Sequence, residues 1–460
     1  MEETPKRKKR CKPVKKIDSM TNAVTRIKNF YFIDKSCTLS DWCSKSTTLY
    51  NDTIQLLEYQ NDRTVFNTFS VMKHHPSFVN LPKAKVAQKT VKIAALAWKS
   101  YEVGHEKWTE DPSNFCGEPK KPEKTIRVKP VIFDYQCSSI KDGKIHLTKN
   151  FSITLPNKHY FLDDFQEIRI IPSIFKNKFK IEIVYYKDIG NYDPDRIDKE
   201  KYLSIDLGIS NFVSMVDSDE NCHLIKGTNL IRYVNQYSRI ISKSRSNYLS
   251  FKKKDKKMKV RRTRRFHADK RNKRVSDELH KISRMVVNYC LQHKIGNIVI
   301  GYSKGWKSRP DLPKNVNRLF CGIGHKRFIH LLKYKANDEH ISVHLQYEGY
   351  TSKCDFLANE PIHKHKKYLG KRIERGLFSS STNKLINSDI NGACNILSKF
   401  ISRKNLDTTI LDKLRKGNMY MPSKLFVHTI GKLMRKIRLQ RSLSNSKTEQ
   451  ILAERKGKNL

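Results

Sequence analysis

None of the ten cysteines in this 460-residue chain stands in Cys-x-x-Cys spacing. That excludes a four-cysteine zinc site, and thiols scattered singly argue against a disulfide framework. No apolar run approaches the ~18 residues a membrane helix needs, and the N-terminus is charged rather than signal-like. The expectation is a soluble, intracellular protein with reduced thiols and no membrane partner. Acidic residues are also scarce, with 45 Asp and Glu against 92 Lys and Arg, a net charge of +47. Such an excess repels itself in a compact state unless a polyanion neutralises it, so nucleic acid is the expected partner. Aromatic residues make up 10% of the chain, enough for base-stacking surfaces, although most should be core.

The length suits two to four domains. Eight of the first 16 residues are basic, as in an import signal or a phosphate-binding arm. Residues 25–33 read as one strand and 38–110 as helical, with Val86, Thr90, Ala94, Ala97, Trp98 and Tyr101 forming a packing stripe. Short alternating runs follow at Thr125–Tyr135, Lys144–Leu147, Glu167–Ile171 and Phe179–Tyr186, a pattern of a small antiparallel barrel or sandwich. From 201 to about 400, strands and helices alternate. These are a hairpin around Asp206, a helix near 276–293, the strand Asn297–Ile300, a helix at Lys326–Ala336, the strand Ile341–Tyr347 and a helix opened by Asp389. Ten of the 14 residues 252–265 are Lys or Arg, and such crowding favours a phosphate backbone alongside. Weak helical patterns cover Thr408–Arg415 and Ser423–Leu439.

Asp206 ends a short apolar run before a Gly turn. Asp389 begins a helix whose apolar stripe runs through Ala393, Ile396, Leu397, Phe400 and Ile401. Two acids 183 residues apart, aimed at one sheet, are poor helpers of folding unless they hold something positive, and a pair of divalent metals is the leading candidate.

Five ordered landmarks carry a family resemblance. They are Ser-Ile-Asp-Leu-Gly around Asp206, Asn-Ile-Val-Ile-Gly-Tyr from Asn297, the stretch from Glu348 to Ile362, Tyr368 to Phe378, and Ser-Asp-Ile-Asn-Gly-Ala-Cys-Asn-Ile from Ser388. In these the chain resembles TnpB-type proteins, and most of all the Fanzor group of eukaryotes and large DNA viruses. The resemblance implies an RNA-guided, Mg²⁺-dependent DNA endonuclease encoded by a mobile element. Its partners would be a guide RNA and a double-stranded DNA target, and its oligomeric state stays open. A nucleus or the cytoplasm of a viral factory would suit it.

The implied fold is α/β. An RNase H-like (RuvC) nuclease domain with an insertion is preceded by an antiparallel β-barrel (wedge) domain, itself interrupted by an α-helical recognition module. The expected boundaries are a basic arm at 1–24, the first wedge strand at 25–37, the helical module at 38–120 and the wedge barrel at 121–198. A nuclease core at 199–348, a degenerate zinc-ribbon-like insertion at 349–386, the last nuclease helix at 387–403 and a basic tail at 404–460 complete the chain.

A site of this kind needs a third carboxylate, and the matching position holds Gly301. If Ile341–Tyr347 lies beside Asn297–Ile300, neighbouring strands are ~4.8 Å apart and a Glu at the next strand's end can reach back. Glu348 takes that role, with Glu360 and Asp355 as substitutes. The expected catalytic and Mg²⁺-binding set is therefore Asp206, Glu348 and Asp389, holding two ions. Cys354, His363 and His365 cannot close a tetrahedral structural site, so zinc is not expected. Lys252, Lys253, Lys254, Lys256, Lys257, Arg261, Arg262, Arg264 and Arg265 are the expected nucleic-acid contacts. Arg372 and Arg375 are read either as further contacts or as salt-bridge partners. Two other readings keep the same acids: a catalytically inactive RNA-guided binding protein, and a transposase performing strand transfer.

Overall fold

The computed structural model describes residues 23–156, 165–250, 254–303, 313–417 and 422–425, with backbone only at 247, 249–250, 254–259 and 314. Most of the expected basic arm and tail lies outside them. The chain divides into two units, Met1–Gly190 and Asn191–Leu460.

In the first unit, strand β1 (Ala23–Ile33) is followed by helices α1 (Thr38–Tyr59), α2 (Val65–Met72), α3 (Pro76–Val79) and α4 (Ala84–Glu110). Strands β2 (Val131–Asp134), β3 (Ser139–Lys141), β4 (Lys144–Thr148), β5 (Phe151–Thr154), β6 (Phe165–Pro172) and β7 (Lys178–Asp188) complete it. The strands are hydrogen-bonded as two sheets, in the orders β1-β7-β6-β2 and β3-β4-β5. Leaving β1, the chain is turned into α1 by the buried Asp34, whose carboxylate accepts from the Ser36 and Leu39 backbone N–H groups at 2.9 and 2.7 Å. Val86, Thr90, Ala94 and Trp98 of the expected stripe are buried, while Ala97 and Tyr101 keep partial solvent contact. Leu39, Trp42, Val86 and Val91 share one core with Phe133, Ile145, Ile153, Ile168 and Ile181.

The expected strand Thr125–Tyr135 is regular only from Val131 to Asp134. Upstream, helix side chains replace a neighbouring strand. Asn51 accepts from the Thr125 N–H at 2.9 Å and donates to its carbonyl at 3.0 Å, and Thr47 Oγ1 accepts from the Lys129 N–H at 2.9 Å. A backbone satisfied in this way has no need of a sheet.

The second unit contains β8 (Asp198–Asp206), β9 (Asn211–Asp217), β10 (Cys222–Lys226), α5 (Thr228–Ser250), α6 (Lys254–Gln292) and β11 (Ile295–Tyr302). Then come α7 (Lys314–Ile323), α8 (His325–Asn337), β12 (Ser342–Tyr347), β13 (Lys371–Glu374), β14 (Leu377–Ser379), β15 (Leu385–Asn387), α9 (Ser388–Lys404), α10 (Thr409–Lys416) and β16 (Ser423–Leu425). The main sheet has the order β12-β11-β8-β9-β10-β16. Strands β8, β9 and β10 form an antiparallel meander, and β11 and β12 join parallel on the β8 side. Strand β12 therefore lies beside β11, as expected.

Both faces of the sheet are covered. Leu203, Ile205, Met215 and Ile300 pack with Leu279, Ile282 and Val286 of α6 and Phe328 and Leu332 of α8. Tyr202, Val216, Leu224 and Val299 pack with Ile390, Ala393, Ile396, Leu397, Phe400 and Ile401 of α9. This alternation along β8 is why the run around Asp206 reads as continuously apolar.

Two expectations need correction. The helix read at 276–293 extends back to Lys254, so the described part of the basic stretch is helical and continuous with it. Ser423–Leu425, expected as the start of a helix, forms a short strand parallel to β10.

Candidate active site

Asp206 is the last residue of β8. Its predecessor Ile205 pairs with Ile300 of β11, so Asp206 stands level with Gly301, which pairs with Gln346 of β12. Glu348 follows β12 directly, and its backbone N–H donates to the Tyr302 carbonyl at 3.3 Å. The carboxyl ends of three parallel strands thus lie side by side, where α/β sheets present reacting groups.

Gly301 explains how Glu348 reaches inward. A Cβ built there would stand 3.2 Å from Glu348 Oε2 and 2.5 Å from Ile396 Cδ1. The Glu348 carboxylate lies against the space a residue-301 side chain would enter, and Ile396 fills the rest.

Asp389 sits in the first turn of α9. It does not cap the helix, because Asn387 accepts from the Asp389 and Ile390 N–H groups at 3.0 and 3.3 Å. Asp389 is free for other partners. Asn211 Nδ2 donates to its Oδ2 at 2.6 Å, Lys226 donates to Asn211 Oδ1 at 2.7 Å, and the Arg372 guanidinium is 3.5 Å from Asp389 Oδ1. Helix α9 is tied to β8 by Ser204, which donates to the Ala393 carbonyl at 2.6 Å. One turn after Asp389 the helix presents Gly392, where a Cβ would meet Asp206 Oδ2 at 2.9 Å. Only glycine lets α9 approach the acid this closely.

These carboxyls feel one another. Burial, and after it the Asp389 and Glu348 carboxylates, push Asp206 up to about 7, against a hydrogen bond from the Leu207 backbone and the Arg372 charge. The donor set is all carboxylate oxygen, which suits a hard divalent cation, and an ion would relieve the crowding that raises Asp206. Among the described residues no group of three His, Cys, Asp or Glu side chains is gathered tightly enough to hold an ion as it stands. The fit rests on the chemistry of the donors.

The substitutes for the third acid are committed elsewhere. Asp355, fully buried, accepts from the Leu357 and Ser381 N–H groups at 3.1 and 2.8 Å and from Ser380 Oγ at 2.8 Å. Glu360 accepts from the Asp355 and Leu369 N–H groups at 2.7 and 2.9 Å. Both hold the 349–386 segment together. Asn391 and Asn395 of α9 fasten that segment by donating to the Cys354 carbonyl at 2.9 and 2.8 Å. The Cys354 thiol is buried, which raises its pKa, and faces the Pro361 and His363 carbonyls at 3.6 and 3.8 Å. His365 Nε2 lies 2.7 Å from the Pro361 carbonyl.

Of the expected nucleic-acid contacts, Lys252 and Lys253 lie outside the described residues, and of Lys254, Lys256 and Lys257 only the helical backbone is described. Arg261, Arg262 and Arg265 are exposed on α6 and Arg264 is half-buried. Arg372 is paired with Asp389, and Arg375 donates to Ser210 Oγ at 2.7 Å. Sequence reasoning missed Asn211 and Gly392. Their signals were present, a polar residue opening the strand after Asp206's turn and a glycine inside an otherwise regular helix.

Residues 186–307 match the family model OrfB_IS605, probable transposase, and residues 325–396 match the Cas12f1-like, TNB domain model. The resemblance to TnpB-type proteins seen in the motifs holds in both segments. Among solved structures, the chain is similar to a Cas12f1–sgRNA–target DNA complex, with TM-score 0.52 and 12% identity over 77% of this chain and 81% of that one. At that identity the likeness speaks to the fold. Two looser similarities are a CRISPR-Cas12f ternary complex and Alicyclobacillus acidoterrestris C2c1 with single-guide RNA. The first has TM-score 0.34 and 10% identity over 78% and 80% of the two chains. The second has TM-score 0.36 and 10% identity over 82% and 66%. No curated protein sequence matches the chain.

Proposed function

We propose that this chain is an RNA-guided, Mg²⁺-dependent DNA endonuclease of a mobile element, related to TnpB-type proteins and their Fanzor group. In this reading the sheet and helices of the second unit are a RuvC-like, RNase H-type nuclease core. The two small sheets and four helices of the first unit are the wedge and recognition modules, and guide RNA and duplex DNA are the partners. The observation that carries the reading is Glu348 Oε2 lying 3.2 Å from the Cβ position of Gly301, one strand over from Asp206. An acid lost from one strand end is supplied by the next.

Asp206, Glu348 and Asp389 would hold the metal. When bound, a Mg²⁺ pair supplies an activated water for in-line attack and charge stabilisation for the leaving 3′ oxygen. Asn211, itself held by Lys226, fixes the orientation of Asp389, and Gly392 leaves room for the Asp206 carboxylate. Asp206 must be ionised to bind a cation, and its carboxyl stands at about 7 in the metal-free protein, so Mg²⁺ affinity should rise with pH through that range.

Gly301 also favours a second reading, an RNA-guided binder that does not cut, and the probable-transposase description favours a third, strand transfer. One experiment tests all three. The protein is purified with its bound RNA, given matching duplex DNA and Mg²⁺, and compared with Asp206→Ala and Glu348→Ala. Wild-type cleavage lost in both variants supports the proposal. Wild-type binding without cleavage supports the second reading, and joined products support the third.

A further inference from the structure

The long helices α5 and α6 border an open pocket of about 320 Å³ lined by Ile241 of α5 and by Arg261, Arg264, Arg265 and Ala268 of α6. The four α6 residues recur at intervals of three and four, so the three guanidiniums come from one helical face. Among the described residues no acidic side chain lines the cavity. Arg261 is oriented by the Tyr248 hydroxyl, to which it donates at 2.9 Å. Arg264 differs from an ordinary surface arginine, because its Nε is shielded from solvent and has no hydrogen-bond partner among the described residues. A buried guanidinium N–H without an acceptor is costly, and three like charges around one space repel. The charge repulsion is relieved by one tetrahedral anion whose oxygens accept from the planar forks. Ile241 and Ala268 add an apolar wall on which a sugar can rest.

We infer that this cavity is a built seat for one backbone phosphate of a bound nucleic-acid strand. The inference rests on the reading that the chain binds nucleic acid, and it divides the basic stretch into two kinds of residue. Arg261, Arg264 and Arg265 converge on a single phosphate, whereas the exposed Arg262, one position round the helix and not lining the cavity, belongs to the general positive surface.

The test is the salt dependence of binding, measured on the full chain with a fluorescein-labelled single-stranded RNA and with duplex DNA of the same sequence, between about 50 and 200 mM salt. Each neutralised phosphate contributes a slope of about 0.7 on a single strand and about 0.9 on duplex. Replacing all three cavity arginines by Gln should therefore lower the slope by about one such step. Arg264→Gln should cost more affinity than Arg262→Gln, and the substrate whose slope changes identifies the strand that is seated. A fall of about three steps would mean three separate surface contacts and overturn the inference, as would no fall on either substrate, or equal losses for Arg262→Gln and Arg264→Gln. Arg264→Lys, which keeps the charge, should retain the slope, and a wild-type melting temperature in each variant excludes misfolding. Because the readout is binding, a one-step fall in a protein that never cuts DNA would leave the seat standing and refute only the nuclease reading.

Discussion

The hairpin of β8 and β9 carries an aspartate at each end, and the two are treated in opposite ways. Asp217 is fully buried but provided for. It accepts from the Tyr289 hydroxyl at 2.6 Å, from the Asn221 and Asp219 N–H groups at 2.9 and 3.0 Å, and from Asn221 Nδ2. Asp206, eleven residues earlier, faces two other carboxylates and is pushed up to about 7. Asp355 is ringed by donors in the same way as Asp217. Donors satisfy the acids that hold the fold together, whereas the crowding of carboxylates at Asp206 is what the proposed cation would relieve.

Substitutions at the two ends should separate these roles. Asp206→Ala and Glu348→Ala should each lower the cleavage rate by more than about 100-fold, beyond the usual effect of outer-shell partners, with melting temperature kept or raised. Asp217→Ala should leave the Tyr289 hydroxyl without its buried acceptor and cost about 1–3 kcal/mol in a denaturant titration, with cleavage by the folded fraction nearly unchanged. A cleavage loss at Asp217 as deep as at Asp206 would erase the distinction.

Smaller changes sharpen it. Gly392→Ala should displace the Asp206 carboxylate, and Asn211→Ala should release Asp389. Each should reduce cleavage by about 10–100-fold with the fold intact by circular dichroism.

The metal-free protein supplies a pH test with a definite sign. A carboxyl whose folded pKa is raised binds its proton more tightly in the folded state, so its contribution is complete below the unfolded value of about 4 and is lost as pH rises through about 7. Without divalent ions, Asp206→Asn should melt above wild type at pH 8, and the gap should close as pH falls toward 4. At roughly 1.4 kcal/mol per pKa unit the effect amounts to a few kcal/mol at most.

Much of the second unit was legible because its strands are buried on both faces and its helices carry clear stripes. The turn after Asp206 and the helix opened by Asp389 follow from apolar runs and Gly punctuation, whereas the pairing of β11 with β12 was implied by the family resemblance. The irregular path of 125–130 was not legible, since the Thr125 and Lys129 backbone groups are satisfied by Asn51 and Thr47, side chains 74 and 82 positions away that no local pattern announces. The start of α6 was hidden for another reason. Like charges oppose a helix locally, and the described part of the basic stretch is helical as the continuation of the helix whose later residues, Val275 to Cys290, are buried in the core. Within the site, Asp206 and Asp389 stand out in sequence by their settings. Glu348 follows only from the missing acid at Gly301, and Gly392 and Asn211 emerge only when α9 and β9 are brought together.

The most direct test of the central contrast is a Mn²⁺ titration of the purified protein, followed by loss of the free-ion electron paramagnetic resonance signal. Ions should be taken up by wild type and by Asp355→Ala, and uptake should fall sharply in Glu348→Ala and Asp206→Ala. Equal uptake by wild type and Glu348→Ala would contradict the account, because the strand-end acid beside Gly301 would then hold nothing.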